Sequence, residues 1–260
     1  PSFLLRLPRP WPPSHFPQTV GDIIHGIPED ALRAILLPDR KSLFIFEVET
    51  STGTVFAAAL AIGAKNSKIK NGFRSWARVP LDRIKHAMAQ QRVERVVASR
   101  VDPSWIHGRD HSPEQAALRA RRVAIVGCGA LGCEIAELLA KAGVGELTLI
   151  DGDNFLSANA GRHLLGLNYL GWNKAKGVAT ELQRRLPHLK IGAIHPKNFE
   201  RLSAPELGKL VAVDMIVTAG IDIEGEAAVN AWRQTLDRPP AYLSTWVEAY
   251  AIVGHAVLLY

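Results

Sequence analysis

The chemical content of this sequence is concentrated in three glycines, an aspartate and a short series of polar side chains downstream. In RVAIVGCGALGCEIAELLAKAGVGELTLIDGD, residues 122–153, Gly127, Gly129 and Gly132 spell G-x-G-x-x-G between a run that reads as a strand and one that reads as a helix. Missing side chains let phosphate oxygens approach main-chain N–H groups, those of Ala130 and Leu131 among them, at the positive end of a helix dipole. Asp151 stands 19 residues past Gly132, at the end of the next apolar run, where a carboxylate can accept hydrogen bonds from ribose hydroxyls. A nicotinamide or flavin dinucleotide fits these four residues as well as a triphosphate does. The segment that follows, DGDNFLSANAGRHLLGLNYLGWNKAKG, is long and irregular and carries Asn159, Arg162 and Lys174. Such side chains neutralise charge while pyrophosphate leaves, and hydride transfer gives no reason for the three together. Asp222, after VDMIVTAG, could bind a hard cation such as magnesium; it could equally cap the helix expected in EGEAAVNAWRQTL.

The elements that must position these groups alternate. From Arg121 onward, RVAIVG, ALGCEIAELLAKAG, ELTLID, NKAKGVATELQRRL, KIGAIH and VDMIVTAG read as strand, helix, strand, helix, strand, strand. Alternation of this kind predicts parallel strands with right-handed crossovers, hence an α/β fold with a doubly wound, mostly parallel Rossmann-like sheet. In the first helix Ile135, Leu138, Leu139 and Ala142 have the spacing of an inward face, with Gly143 as C-terminal cap; in the second, Ala175, Val178, Ala179, Leu182 and Leu186 do. Residues 1–100 have a different texture and predict a small α+β domain that serves as a linker or partner-binding module. SLFIFEVET and TVFAAALAIG form a hairpin across STG, PLDRIKHAMAQQ is helical, RVERVVASRV is a strand, and the prolines of FLLRLPRPWPPSHFP enforce an extended lead-in. The polar stretch 101–120, with DPSWIHGRDHSPEQ, is the expected junction, and 121–260 the nucleotide-binding domain.

With these elements in place, the order of the polar residues resembles the ThiF/MoeB/HesA family, the adenylating domain shared with ubiquitin-activating enzymes. The resemblance rests on Gly127, Gly129 and Gly132, then Asp151-Gly-Asp153, Asn159-x-x-Arg162, Lys174 and Asp222, in family order over about 100 residues. It implies Mg-ATP as cofactor and, as substrate, the C-terminal carboxylate of a ubiquitin-like protein, converted to an acyl-adenylate. Carried over residue by residue, Asp151 would hold the ribose, Asn159 and Arg162 the β and γ phosphates, Lys174 the α phosphate and Asp222 the magnesium ion. Arg162, Lys174 and Asp222 would be the catalytic set. The family forms homodimers in which an upstream arginine acts in trans, a role Arg109 matches poorly. Two departures stand out: NAGRH puts His163 where the family has glutamine, and AGIDIEGE replaces its T-D-N, leaving Glu224 as a rival to Asp222. The GRHLLG variant and RVDPSWIHGRD also resemble bacterial proteins in which this domain follows a ubiquitin-conjugating-like module. A dinucleotide-dependent oxidoreductase and a non-catalytic partner subunit that keeps the fold remain the alternatives.

Composition narrows the classes further. Formal net charge is +6, but basic residues are dispersed apart from RARR at 119–122, and no zinc-finger spacing or aromatic-and-basic motif appears, so specific nucleic acid binding is not expected. No run approaches the roughly 18 apolar residues of a membrane helix, no secretory signal is present, and a cytoplasmic protein without membrane contact is the expectation. Cys128 and Cys133, both in the glycine-rich stretch, read as reduced packing residues. The run AIVGHAVLLY has the content of a buried strand and suggests that the domain continues past Tyr260, which is where a thioester cysteine or zinc site would have to lie.

Overall fold

The computed structural model describes residues 2–9, 12–25, 27–28, 31–33, 40–50, 53–62, 72–107 and 113–260. They form two compact units, Pro1–Arg100 and Val101–Tyr260.

In the first unit β1 (Ser2–Leu7) pairs parallel to β2 (Lys41–Thr50), which forms an antiparallel hairpin with β3 (Gly53–Ile62); β4 (Val93–Val96) completes the order β1-β2-β3-β4. One face is buried. Phe44, Phe46, Ala59 and Ala61 pack with Ile23 of α1 (Gly21–Ile24), with its N-cap Val20, and with Ile84 and Met88 from α2 (Leu81–Ala89). Pro80 is the N-cap of α2 rather than its first residue. The extended lead-in resolves into strand β1, which ends before the prolines, as the missing N–H of proline requires.

The second unit begins with two short helices, α3 (Pro103–Ile106) and α4 (Pro113–Arg119), in the polar stretch expected to be the junction. These helices have a local cause. Each proline opens a helix, where its fixed φ is already helical, and the Asp102 carboxylate caps α3 by accepting from Trp105 N–H at 3.2 Å. The sheet follows with β5 (Arg122–Val126), β6 (Glu146–Ile150), β7 (Lys190–His195), β8 (Met215–Ala219), β9 (Ala241–Val247) and β10 (Gly254–Leu259) in the order β10-β9-β8-β5-β6-β7. All neighbours are parallel except β9 and β10. Helices α5 (Ala130–Ala142) and α6 (Lys174–Arg185) cover one face; α7 (Ala204–Leu210) and α8 (Ile223–Gln234) cover the other. Val123, Ile125 and Val217 point to the first layer while Ala124, Val126 and Ile216 point to the second, which is why these strands read as unbroken apolar runs.

Two expectations are corrected here. The inward face of α5 is Gly132, Cys133, Ala136 and Ala140, whereas Leu138 is 64% exposed and Ala142 is exposed. Small residues let the helix lie close on the sheet, and Ile135 and Leu139 fill its flank half-buried. The run read as a buried strand, β10, is an antiparallel strand at the end of the sheet order with most of its residues exposed. No helix among the described residues is long and apolar enough to cross a membrane.

Candidate active site

Strand order reverses between β5 and β8, which run side by side while their crossovers leave in opposite directions. Carboxyl ends of parallel strands open a crevice at such a switch point. A cavity of about 240 Å³ lies there, lined by the glycine loop after β5, the turn after β6, the loop after β7 and the β8–α8 turn.

The three glycines serve three different needs. Gly127 has φ +88°, and a Cβ on it would lie 2.6 Å from the Ile221 side chain and 2.7 Å from the Ala219 carbonyl. A Cβ on Gly132 would collide with the Gly127 carbonyl, so this glycine sets the close approach of α5 to β5. At Gly129 a Cβ would meet nothing within 4 Å, because that position faces the open cavity. Of the three, only Gly129 has no packing reason within the fold to lack a side chain. It is the N-cap of α5, which Ala130 and Leu131 begin.

Asp151 ends β6 and holds the loop together. One carboxylate oxygen accepts the Cys128 N–H at 2.6 Å and the other the Asp153 N–H at 2.7 Å. Burial to 9% residual exposure nevertheless outweighs these bonds and the nearby Lys174 charge, and pushes the carboxyl above its ordinary aspartate value. Asn173 donates to the Asp151 and Asp153 carbonyls at 2.8 and 3.1 Å and caps α6 by accepting from Lys176 N–H. Lys174, the first residue of α6, thereby points its ammonium at the cavity, 2.8 Å from the Asp153 carboxylate.

Across the cavity Asp222 caps α8, one carboxylate oxygen accepting the Gly225 N–H at 2.8 Å. Its other oxygen has no hydrogen-bond partner among the described residues, so capping and cation binding are compatible in one side chain. Glu224, the rival carboxylate, does not line the cavity. No group of three potential metal ligands occurs among the described residues, so a magnesium ion here would take Asp222 and complete its shell with phosphate oxygens and water.

The cavity therefore brings together Gly127, Gly129, Asp151, Lys174 and Asp222. It does not include Asn159 or Arg162. Asn159 accepts the Leu156 N–H at 2.9 Å, and the exposed Arg162 donates to the Ala158 carbonyl at 3.1 Å, both on the crossover between β6 and α6. Arg109 lies outside the described residues. Sequence reasoning missed Asn198 and Glu200, which line the cavity from the loop after β7, because isolated polar residues in a loop carry no spacing signal. It also gave no role to His163. Its Nε2 lies 2.8 Å from the Cys128 carbonyl and its Nδ1 accepts the Leu165 N–H at 3.2 Å, which fixes the neutral tautomer with the proton on Nε2. Burial keeps its pKa below the ordinary histidine value.

Sheet order, glycine loop and switch-point cavity define a doubly wound α/β protein of Rossmann type, with its cavity at the place where such folds take ligands. The family model described as "ThiF family" matches residues 106–249, and the chain belongs to that family. It is 34% identical over 164 residues to the "ATP-dependent ubiquitin transferase-like protein Cap2" of Pseudomonas aeruginosa, covering 61% of this chain and 28% of that protein. It is 41% identical over 119 residues to the molybdopterin-synthase adenylyltransferase of Escherichia coli, covering 45% and 46%. With the ubiquitin-like modifier-activating enzyme 5 of Bombyx mori it shares 30% over 146 residues, 53% and 37% of the two chains. The chain thus spans about a quarter to a half of the length of these curated relatives. Among solved structures, that of E. coli MccB with ATP matches 51% of this chain and 39% of that one at 25% identity and a TM-score of 0.44.

Proposed function

We propose that the chain is an adenylyltransferase that binds Mg-ATP in the switch-point cavity and transfers AMP to the C-terminal carboxylate of a ubiquitin-like protein. The observation that carries the reading is the convergence of a lysine ammonium, a half-free aspartate and a bare glycine N-cap on the cavity that Asp151 borders. In this reading the ribose hydroxyls donate to Asp151, the phosphates run past the N-terminus of α5, and Lys174 meets the α phosphate. Asp222 would hold magnesium, which when bound neutralises phosphate charge.

The acceptor carboxylate is ionised at neutral pH and needs no general base. One of its oxygens bonds to the α phosphorus, the bond from that phosphorus to the bridging oxygen breaks, and pyrophosphate leaves with the electron pair. Catalysis is then orientation plus charge neutralisation. Arg162 and Asn159 would serve the outer phosphates, which requires the Arg162 guanidinium to leave the Ala158 carbonyl. Its exposure makes that exchange cheap. A homodimer, a cytoplasmic location and a partner-binding role for residues 1–100 belong to the same proposal, with the small α+β unit as the candidate module.

The test is ATP–pyrophosphate exchange by the full protein with the ubiquitin-like protein encoded nearest its gene. Lys174→Ala and Asp222→Ala should each lower exchange by about two orders of magnitude, as removal of a preorganised charge does, and Arg162→Ala by about tenfold or more. Undiminished exchange in all three would remove the site assignment.

A further inference from the structure

Lys174 occupies an unusual place for a lysine. It is the first residue of α6, a helix with no acidic residue in its first turn and a second lysine, Lys176, two positions on. Helix N-termini disfavour cations, and the Lys174 side chain is only 12% exposed, so this ammonium has lost both hydration and a favourable dipole. One carboxylate compensates: Asp153 Oδ2 at 2.8 Å, the sole ion pair Lys174 makes among the described residues. The backbone of Asp153 is itself held on three sides. Its N–H donates to Asp151 Oδ1 at 2.7 Å, and its carbonyl accepts from the Lys174 N–H at 2.9 Å and from Asn173 Nδ2 at 3.1 Å. An isolated bridge between Asn154 and Asn173 ties the same two segments. The Asp153 side chain, 72% exposed, contributes nothing to the core.

We propose that Asp153 is a positioning residue whose carboxylate holds the Lys174 ammonium at the cavity, so that a triphosphate meets a cation already in place. The proposal rests on the reading of this cavity as an ATP site. It goes against the simplest electrostatic expectation, by which deleting a negative charge beside a triphosphate strengthens binding. Here the charge acts through the lysine, and deleting it frees a long side chain to leave the cavity for water.

The experiment titrates Mg-ATP calorimetrically into the full chain as wild type, Asp153→Asn, Asp153→Glu, Lys174→Met and the double variant of Asp153→Asn with Lys174→Met. Asp153→Asn should weaken binding about three- to tenfold, in the range of a charge-assisted contact, and Asp153→Glu should recover most of the loss. In the Lys174→Met background the same Asn change should be neutral or should tighten binding, because only the bare negative charge of Asp153 is then removed. Tighter or unchanged binding by Asp153→Asn alone overturns the proposal, as does equal weakening in both backgrounds. The bonds that fix the Asp153 backbone do not involve its carboxylate, so melting temperatures should stay within about 2 °C; a larger fall would make the carboxylate a support of the fold and also overturn it. If the wild type fails to bind Mg-ATP at all, the reading of the cavity as an ATP site falls first and the proposal with it.

Discussion

Gly129 and Gly132 stand three residues apart in one loop, yet a methyl group added to each should fail in opposite ways. On Gly132 the new Cβ meets the Gly127 carbonyl and comes within 3.2 Å of the Ala219 Cβ, atoms that cannot swing aside. Helix α5 must lift from β5, an overpacking that costs about 1–3 kcal/mol. At about 2–4 °C per kcal/mol for a unit of this size, Gly132→Ala should melt roughly 2–12 °C lower. On Gly129 the Cβ enters open space with φ at −73°, a value alanine adopts freely. The entropy gained in the unfolded chain, about 0.4–1 kcal/mol, is offset by a poorer N-cap of similar size, so Gly129→Ala should melt within about 4 °C of wild type. Its methyl nevertheless stands where the proposed ATP site would bring a phosphate, and Mg-ATP affinity should fall about tenfold or more. Differential scanning calorimetry with and without Mg-ATP separates the two effects. The reasoning is refuted if Gly129→Ala loses as much stability as Gly132→Ala, or if it binds Mg-ATP as the wild type does.

Two pH predictions follow from the surrounding loops. His163 is held neutral between the Cys128 carbonyl and the Leu165 N–H, with its pKa depressed by burial. A depressed histidine contributes stability that is present above the ordinary value near 6.5 and lost as pH falls toward the folded value. His163→Gln, which keeps a donor and an acceptor but does not titrate, should therefore melt with a shallower pH slope than wild type as pH falls below about 6.5. Glu206 caps α7 by accepting from the Ser203 N–H and hydroxyl at 2.7 and 2.6 Å and pairs with Lys197; these contacts, with Ser203 foremost, bring its pKa down to about 2. Stability from this group is present above the unfolded value and lost as pH falls from there toward 2. Glu206→Gln should remove that part of the acid limb in melting temperature measured against pH.

The glycine loop and its strand were legible because spacing alone carries them: G-x-G-x-x-G between an apolar run and a helix, capped by Gly143 at φ +94°, has few other uses. The second helix was legible for a similar reason, since Ala175, Val178, Ala179 and Leu182 form one buried stripe. The inward face of α5 was not, because hydropathy favours Leu138 while close packing selects Gly132, Cys133, Ala136 and Ala140. Periodicity measures oiliness and says nothing of distance. The Asp153 carboxylate carries no such signal, because its contact with Lys174 is made across 21 residues of chain. The same holds for His163, whose Nε2 meets the Cys128 carbonyl, 35 residues away along the chain. Polar pairings between loops leave no trace in local pattern. Helices α3 and α4 lie in the polar junction, where four and seven residues are too few to show a periodic apolar face; their prolines are initiators.

The most direct test of the account is a crystal structure of the full chain with magnesium and a non-hydrolysable ATP analogue. The account predicts ribose hydroxyls on Asp151, phosphates over Gly129, the Lys174 ammonium on the α phosphate, a magnesium ion on the free oxygen of Asp222, and Arg162 drawn off the Ala158 carbonyl. A nucleotide bound elsewhere, or bound in this cavity with Lys174 and Asp222 both turned away from its phosphates, would contradict it.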